Sequence, residues 1–143
     1  MFLFWGSDFH YPCFGKILHS VETGESSRSL LSGTDGFEHL RQNPELARLF
    51  DDAMTTMSEL VAPAIASAYD YGRWDSLMDV GGGNGILLSQ ILRAHPGLRG
   101  VLADQEHVLT RARERGYLGG DLEGRTSMEW CHPRWQAFRY KAG

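Results

Sequence analysis

The chain has little of what cross-links or anchors a protein. Its two cysteines, Cys13 and Cys131, are too few for a disulfide framework and lack metal-ligand spacing, so we expect reduced thiols. No apolar run approaches the roughly 18 residues of a membrane-spanning helix. The apolar N-terminus also lacks the basic segment and the long hydrophobic segment of a signal peptide. We therefore expect a cytoplasmic protein with no membrane partner.

Positive charge is also scarce. The formal net charge is −4, and no long basic run occurs before the tail, so the composition predicts no nucleic-acid partner. An apolar content of 42% and a charged content of 22% are ordinary for a globular protein. With 143 residues, the chain has room for one compact core.

The first half of the chain contains two regions that differ in composition and pattern. Residues 1–36 are aromatic at first and then rich in serine, glycine and threonine, and we predict irregular structure there. Asn43-Pro44 is typical of a helix start with proline at the first helical position. Pro63 predicts a break or kink of this helix near residues 58–63. An apolar stripe at helical spacing follows the start: Leu46, Leu49, Phe50, Ala53, Met54 and Met57.

After Gly72 the sequence alternates between short strand patterns and helix patterns. The strands are SLMDV, LRGVLAD and, more weakly, RTSMEWC, and the helices between them are ILLSQILRAH and EHVLTRARERG. This order predicts an α/β fold with a parallel sheet and right-handed crossovers. Ligands of such sheets bind beyond the carboxyl ends of the strands, which is where a glycine-rich turn follows the first strand.

That turn carries four glycines in five positions: Gly81, Gly82, Gly83 and Gly85. A dinucleotide site requires G-x-G-x-x-G, but Ile86 occupies the position of the third glycine, so that interpretation fails on spacing. So many glycines cost backbone entropy that a plain turn does not need, which favours a ligand. The alternative is a tight connection without a ligand.

Two acidic residues indicate which ligand the turn would hold. Asp79 precedes the first glycine, where a carboxylate would repel a pyrophosphate but favour a positively charged ligand. S-adenosylmethionine carries a sulfonium and an ammonium group and no phosphate. Asp104 closes the second strand, where a carboxylate can accept hydrogen bonds from two ribose hydroxyls. In the alternative without a ligand, both acids only cap or solvate the turn.

On these residues the chain resembles the small-molecule O-methyltransferases of the caffeate, hydroxyindole and anthracycline type. The stretches that carry the resemblance are LHSVETGE, FDDAMTTMS, LMDVGGGNG and LRAHPGLRGVLAD, within about residues 14–130. The resemblance implies a Rossmann-like class I methyltransferase fold and S-adenosylmethionine as cofactor. It also implies a small aromatic acceptor, methylated on a hydroxyl, and a protein that is usually a homodimer.

The resemblance also implies roles for single residues. Gly81 and Asp104 would contact the cofactor, Met54 would lie at the acceptor pocket, and Ser58 would lie near the cofactor carboxylate. Met54 also belongs to the apolar stripe, and a methionine at helical spacing is more often part of a core. Ser58 has a second interpretation as a cap at the helix break.

The chain departs from the family at several places. Asp104-Gln105-Glu106 stands where the family has aspartate-leucine-proline, and Cys131-His132-Pro133 stands where an acid and two aromatics are expected. The family's catalytic histidine, in a histidine-aspartate-tryptophan motif, has no counterpart, so no catalytic residue is assigned. We interpret the chain as a truncated member; the alternative is a non-catalytic cofactor-binding or dimer-forming fragment.

These observations predict four segments. Residues 1–36 would be a remnant of an N-terminal dimerisation region, and residues 37–72 a helical connector. Residues 73–130 would form the cofactor-binding half, and residues 131–143 a divergent tail that holds arginine, lysine and aromatics without an acid. The tail is either a basic and aromatic patch for an anionic partner or a departure from the family's reading frame, and we favour the second.

Overall fold

A computed structural model describes residues 1–130 of the chain. The helices in this range are α1 (Phe2–Trp5), α2 (Tyr11–Phe14), α3 (Ile17–Thr23), α4 (Ser27–Ser32), α5 (Gly36–Gln42), α6 (Pro44–Ala68), α7 (Ile86–Ala94) and α8 (Glu106–Arg115). The strands are β1 (Ser76–Val80), β2 (Arg99–Asp104) and β3 (Thr126–Trp130). Two short 3-10 turns lie at Tyr71–Arg73 and Gly120–Leu122.

The chain divides into two compact units, Met1–Met57 and Ser58–Gly143, where its length alone predicted one core. The division differs from the predicted segment boundaries, and the roles assigned to those segments stay predictions. None of the helices in the described range is long and apolar enough to cross a membrane.

The prediction of irregular structure over residues 1–36 was wrong, because four short helices lie there. Local capping explains how such short helices form. The Ser26 hydroxyl accepts a hydrogen bond from the Arg28 N–H at the start of α4. Helices α3 and α4 both end at glycines with positive φ, Gly24 at 74° and Gly33 at 72°. These helices are too short to give a helical repeat that the sequence would reveal.

Aromatic side chains hold the first unit together. Phe4 is 2% exposed, and its ring meets the rings of Trp5, Phe9, His10 and Phe50 at centroid distances between 4.8 and 6.1 Å. Edge-to-face and tilted contacts of this kind add to the gain from burial. The apolar start of the chain is therefore part of a small core.

Helix α6 begins at Pro44, as Asn43-Pro44 predicted, and the Asn43 carbonyl accepts the first helical hydrogen bond from Ala47 at 2.9 Å. The predicted break near residues 58–63 was wrong, because α6 continues through Pro63 to Ala68. Because proline has no backbone N–H, Pro63 cannot donate the helical hydrogen bond to the Glu59 carbonyl. Both residues are exposed, so water can satisfy that group.

The second unit contains the predicted parallel sheet, with strand order β1-β2-β3. Register pairs Asp79 with Leu102, and Asp104 with Trp130. Helices α7 and α8 supply the apolar side chains that cover the Leu102 face of the sheet. A side chain at Gly100 would lie 2.7 Å from Leu92, so the absence of one lets α7 approach β2 closely. The buried core is Ala66, Leu88, Ile91, Leu92, Leu98, Leu102, Leu109, Ala112, Leu118 and Leu122.

The other face of β1 is open. Met78 is 51% exposed and Val80 59% exposed, and among residues 1–130 strand β1 has a strand neighbour on one side only. In doubly wound folds further strands add beside the first one at this edge. The carboxyl end of β1 therefore lies at the place where such sheets reverse their strand order.

Arg125 ties the end of α7 to the start of β3. Its guanidinium donates to the carbonyls of Leu92, His95 and Leu98 at 2.8 to 2.9 Å. The last carbonyls of a helix have no partner within the helix, so a cation that binds them also complements the helix dipole. Arg125 thereby fixes the loop through which the chain enters β2.

Replacing Arg125 with methionine should lower the free energy of unfolding by ~1–3 kcal/mol, because three partly buried carbonyls lose their donor. Urea denaturation measures this change. The matched control is Arg99→Met, since Arg99 is exposed. Equal effects of the two substitutions would contradict the bracing role of Arg125.

Candidate cofactor site

The site begins where β1 ends. The Gly81 N–H donates to the Ala103 carbonyl at 2.7 Å, so the ladder between β1 and β2 continues one residue into the turn. The chain then turns over Gly82 and Gly83 and enters α7 through Gly85, whose φ is 80°. The turn is thus held against the carboxyl end of β2.

Each glycine of the turn has its own structural reason. Gly81, Gly83 and Gly85 have φ values of 75°, 59° and 80°, which other residues rarely adopt. A Cβ at Gly82 would lie 2.5 Å from Asp79 Oδ2 and 2.6 Å from Leu102 Cδ1. Each of the four glycines is therefore favoured by the fold itself. This corrects the entropy argument made from the sequence, because the number of glycines does not by itself indicate a ligand.

Asp104 joins the two strand ends. Its Oδ2 accepts the Gly83 N–H at 2.9 Å, and its Oδ1 accepts the N–H of Gln105 at 2.7 Å. A carboxylate oxygen has two lone pairs, so each oxygen can still accept one further hydrogen bond. The sequence placed Asp104 at the end of the second strand, beside the turn. It did not reveal that the carboxylate also accepts a hydrogen bond from the backbone of the turn.

Asp79 lies beneath the turn. Its Oδ2 is buried and has no hydrogen-bond partner in the described part of the chain. Burial raises the pKa of the Asp79 carboxyl above its usual value, and the negative charge of Asp104 raises this pKa further. Asp79 and Asp104 therefore give this end of the sheet a negative potential that hydrogen bonds only partly offset.

The residues present fit a hydroxyl-bearing cation better than a phosphate. Apart from their chain neighbours, no atom of residues 1–130 lies within 4 Å of the position that a Cβ would take at Gly81 or Gly83, so the described part of the chain leaves the backbone open to a ligand there. Asp104 retains acceptor capacity for hydroxyl groups. The buried oxygen of Asp79 favours positive charge, whereas two carboxylates would repel a pyrophosphate.

Leu102 is the residue of the site that the sequence did not single out. It is fully buried, and its methyl groups lie 2.6 and 3.4 Å from the positions that a Cβ would take at Gly82 and Gly85. The available signal was its place in β2, two residues before Asp104 and therefore on the same face of the sheet. This contact sets how closely the turn approaches the sheet.

The other predicted site residues lie on α6. Met54 and Ser58 are both half-buried; Met54 belongs to the first unit and Ser58 to the second. Ser58 does not cap a helix break, because α6 is continuous there. The roles of both residues toward a ligand stay predictions. Cys131-His132-Pro133 lies outside the described residues.

Asp121, an acid in the 3-10 turn before β3, has a structural role. Its carboxylate accepts from the Arg93 guanidinium at 3.2 Å, and this hydrogen bond holds the pKa of Asp121 below its usual value. The pair joins α7 to the 3-10 turn before β3. Asp121 is exposed, so it offers a control for charge changes at Asp79 and Asp104.

Comparison with known proteins agrees with this geometry. Residues 17–126 match the model of the O-methyltransferase domain. The chain belongs to the O-methyltransferase domain family. This confirms the resemblance seen in the sequence, and the match includes the glycine turn and both acids of the candidate site.

Individual relatives cover the same region. The chain is 38% identical over 122 residues to the phenazine O-methyltransferase PhzM of Lysobacter antibioticus, covering 78% of this chain and 36% of that protein. It is 36% identical to the mitomycin biosynthesis 6-O-methyltransferase of Streptomyces lavendulae, covering 78% of this chain and 32% of that protein. It is also 36% identical to the aclacinomycin 10-hydroxylase RdmB of Streptomyces purpurascens, over 71% of this chain and 27% of that protein. The chain thus spans about a third of the length of these curated relatives.

Solved structures confirm the class I methyltransferase fold. The mitomycin 7-O-methyltransferase MmcR superposes with a TM-score of 0.80 at 33% identity, over 90% of this chain and 38% of that one. The O-methyltransferase NcsB1 superposes with a TM-score of 0.73 at 34% identity, over 85% of this chain and 37% of that one. NcsB1 was crystallised with S-adenosylmethionine and 2-hydroxy-5-methyl naphthoic acid.

Replacing Gly82 with alanine should lower the free energy of unfolding by ~1–3 kcal/mol, because the new Cβ would collide with the side chains of Asp79 and Leu102. Thermal or urea unfolding measures the loss. The control is Gly97→Ala, since a Cβ at Gly97 would meet no atom of the described residues within 4 Å other than its chain neighbours, and this position has no positive φ. The two substitutions should differ clearly, and similar melting curves would refute the close approach at Gly82.

The raised pKa of Asp79 sets a direction for the pH dependence of stability. The folded protein holds this proton more tightly than the unfolded chain, so the free energy of unfolding falls as pH rises from the usual pKa through the raised one. Asp79→Asn should remove that fall and stabilise the protein at neutral pH by ~1 kcal/mol. Urea titrations from acidic to neutral pH test this, and a less stable Asp79→Asn variant at neutral pH would contradict it.

Proposed function

We propose that this chain binds S-adenosylmethionine at the turn between β1 and α7, as the cofactor-binding part of an O-methyltransferase. The reaction would transfer a methyl group to a hydroxyl of a small aromatic molecule. The observation that carries the proposal is the hydrogen bond from the Gly83 N–H to Asp104, which brings a glycine turn and an acid with spare acceptor capacity together at the carboxyl edge of a parallel sheet.

Each candidate residue would contact a different part of the ligand. Asp104 would accept hydrogen bonds from the ribose hydroxyls through its remaining lone pairs. Gly81, Gly82, Gly83 and Gly85 would let the ligand approach the backbone, and Ser58 would lie near its amino-acid carboxylate. When bound, S-adenosylmethionine supplies an activated methyl group on a sulfonium. The protein's own contribution to the rate would be mainly orientation of the acceptor.

The acceptor is proposed from the relatives. PhzM and the mitomycin enzyme are named for phenazine and mitomycin, and NcsB1 was crystallised with a naphthoic acid. These names support a small aromatic or fused-ring acceptor. A role of Met54 at the acceptor pocket stays a prediction from the resemblance. A homodimer, a cytoplasmic location and the absence of a nucleic-acid partner stay predictions of the sequence.

A second candidate is a non-catalytic cofactor-binding or dimer-forming fragment. The described residues supply no side chain that we can assign as the catalytic base, and the chain spans about a third of its relatives. The hydroxylase RdmB is as similar to this region as the mitomycin enzyme is. The matched region therefore does not determine the reaction, and we expect no methyl transfer by this chain alone at a useful rate.

Calorimetric titration with S-adenosylhomocysteine tests the binding proposal. The wild-type chain should bind, and Asp104→Ala should weaken binding by about tenfold or more, the usual cost of hydrogen bonds lost from a charged acceptor. Asp121→Ala removes an exposed carboxylate elsewhere and should leave the affinity unchanged. A folded wild-type sample that gives no binding heat would refute the proposal.

Because Asp104 also holds Gly83, the loss of the carboxylate can act through the turn. Asp104→Asn keeps one acceptor oxygen for the Gly83 N–H but sets an NH2 group against the Gln105 N–H, so the state of both backbone amides must be measured beside the affinity. Hydrogen exchange at Gly83 and Gln105 reports on the turn and calorimetry on the ligand. Weaker binding with normal protection of both amides would indicate a direct contact between Asp104 and the ligand, whereas an unchanged affinity would argue against one.

A further inference from the structure

The negative charge of Asp79 does not stabilise the fold of the described residues. Its Oδ2 is buried and has no hydrogen-bond partner among residues 1–130, and the position of a Gly82 Cβ would be 2.5 Å from it, so the carboxyl lies directly under the turn. Removing a carboxylate from water without a hydrogen bond or ion pair is unfavourable. An asparagine would fill the same space without the charge.

The neighbouring acid does not compensate. Both oxygens of Asp104 accept backbone N–H groups, whereas Asp79 Oδ2 receives no hydrogen bond from residues 1–130. Asp104 instead raises the pKa of Asp79 through its own negative charge. The negative charge of Asp79 can therefore attract a positively charged group of a ligand bound at the turn.

We propose that Asp79 determines selectivity for the charge of the ligand, favouring the sulfonium form of the cofactor over the neutral thioether left after methyl transfer. The inference rests on the proposed function, because it concerns the same turn. S-adenosylmethionine and S-adenosylhomocysteine carry the same adenosine, ammonium and carboxylate groups. They differ in the methyl group and in the positive charge on sulfur, so a buried carboxylate distinguishes them through that charge.

The consequence concerns exchange of the ligand. Methyl transfer would break the bond between carbon and sulfur and form one to the acceptor oxygen, which would lose its proton; the electron pair of the broken bond would stay on sulfur and cancel the positive charge there. Asp79 would then lose its attraction for the spent ligand, so it favours replacement of product by fresh cofactor. Since the charge is already fading in the transition state, Asp79 should contribute to binding and exchange rather than to the transfer step.

The test is calorimetry of wild type and Asp79→Asn with three ligands: S-adenosylmethionine, S-adenosylhomocysteine, and the unreactive analogue sinefungin, which carries an amine in place of the sulfonium methyl. Asp79→Asn should weaken the two cationic ligands by about tenfold and change the neutral one by less than about twofold. Asp121→Asn, which removes an equal charge away from the turn, should leave the ratio of affinities unchanged.

The other outcomes are distinguishable. If Asp79→Asn weakens all three ligands equally, Asp79 acts on a shared group or on the shape of the turn, and the inference fails while the proposed function stands. An unchanged ratio of affinities also refutes the inference alone. If the folded wild type binds none of the ligands, both proposals fail. Asp79→Ser, the second uncharged variant, gives the same comparison if Asp79→Asn does not fold.

Discussion

The hydrogen bond from the Gly83 N–H to Asp104 joins two points far apart in the sequence, and the geometry of the site follows from it. It can form only because β1 and β2 pair in parallel, with Asp79 beside Leu102, so that both strands end at one edge. The same register places Leu102 beneath Gly82 and Gly85. The turn, both acids and the start of α7 are therefore positioned together.

Much of the second unit could be predicted from the sequence. The strands and the helices α7 and α8 lie where alternating apolar runs predicted them, and Pro96 and Gly116 mark the helix ends. The first unit could not be predicted in this way. Its helices depend on single caps such as Ser26 and on contacts with Phe4, which no periodic pattern records. Likewise, Pro63 predicts a break only if the carbonyl of Glu59 is shielded from water, and burial is not visible in the sequence.

The candidate site was predictable as a set of positions but not as a set of contacts. Gly81 to Gly85 and Asp104 meet as expected, because the carboxyl ends of adjacent parallel strands lie side by side. The sequence did not reveal that Gly82 is needed for space, that Leu102 fills that space, or that Asp104 already binds the turn. Each of these depends on register and on side-chain packing, which the strand pattern leaves undetermined.

The residues of the site therefore do not carry equal weight as indications of function. The four glycines would be favoured even in a turn without a ligand, because of positive φ values at three of them and close packing at Gly82. Asp104 also has a structural reason, as the acceptor for Gly83 and Gln105. Asp79 has none among its described contacts, since its buried oxygen lacks a partner and its charge is opposed by burial and by Asp104. A residue that the fold would tolerate better uncharged is the strongest structural argument for a positively charged ligand here.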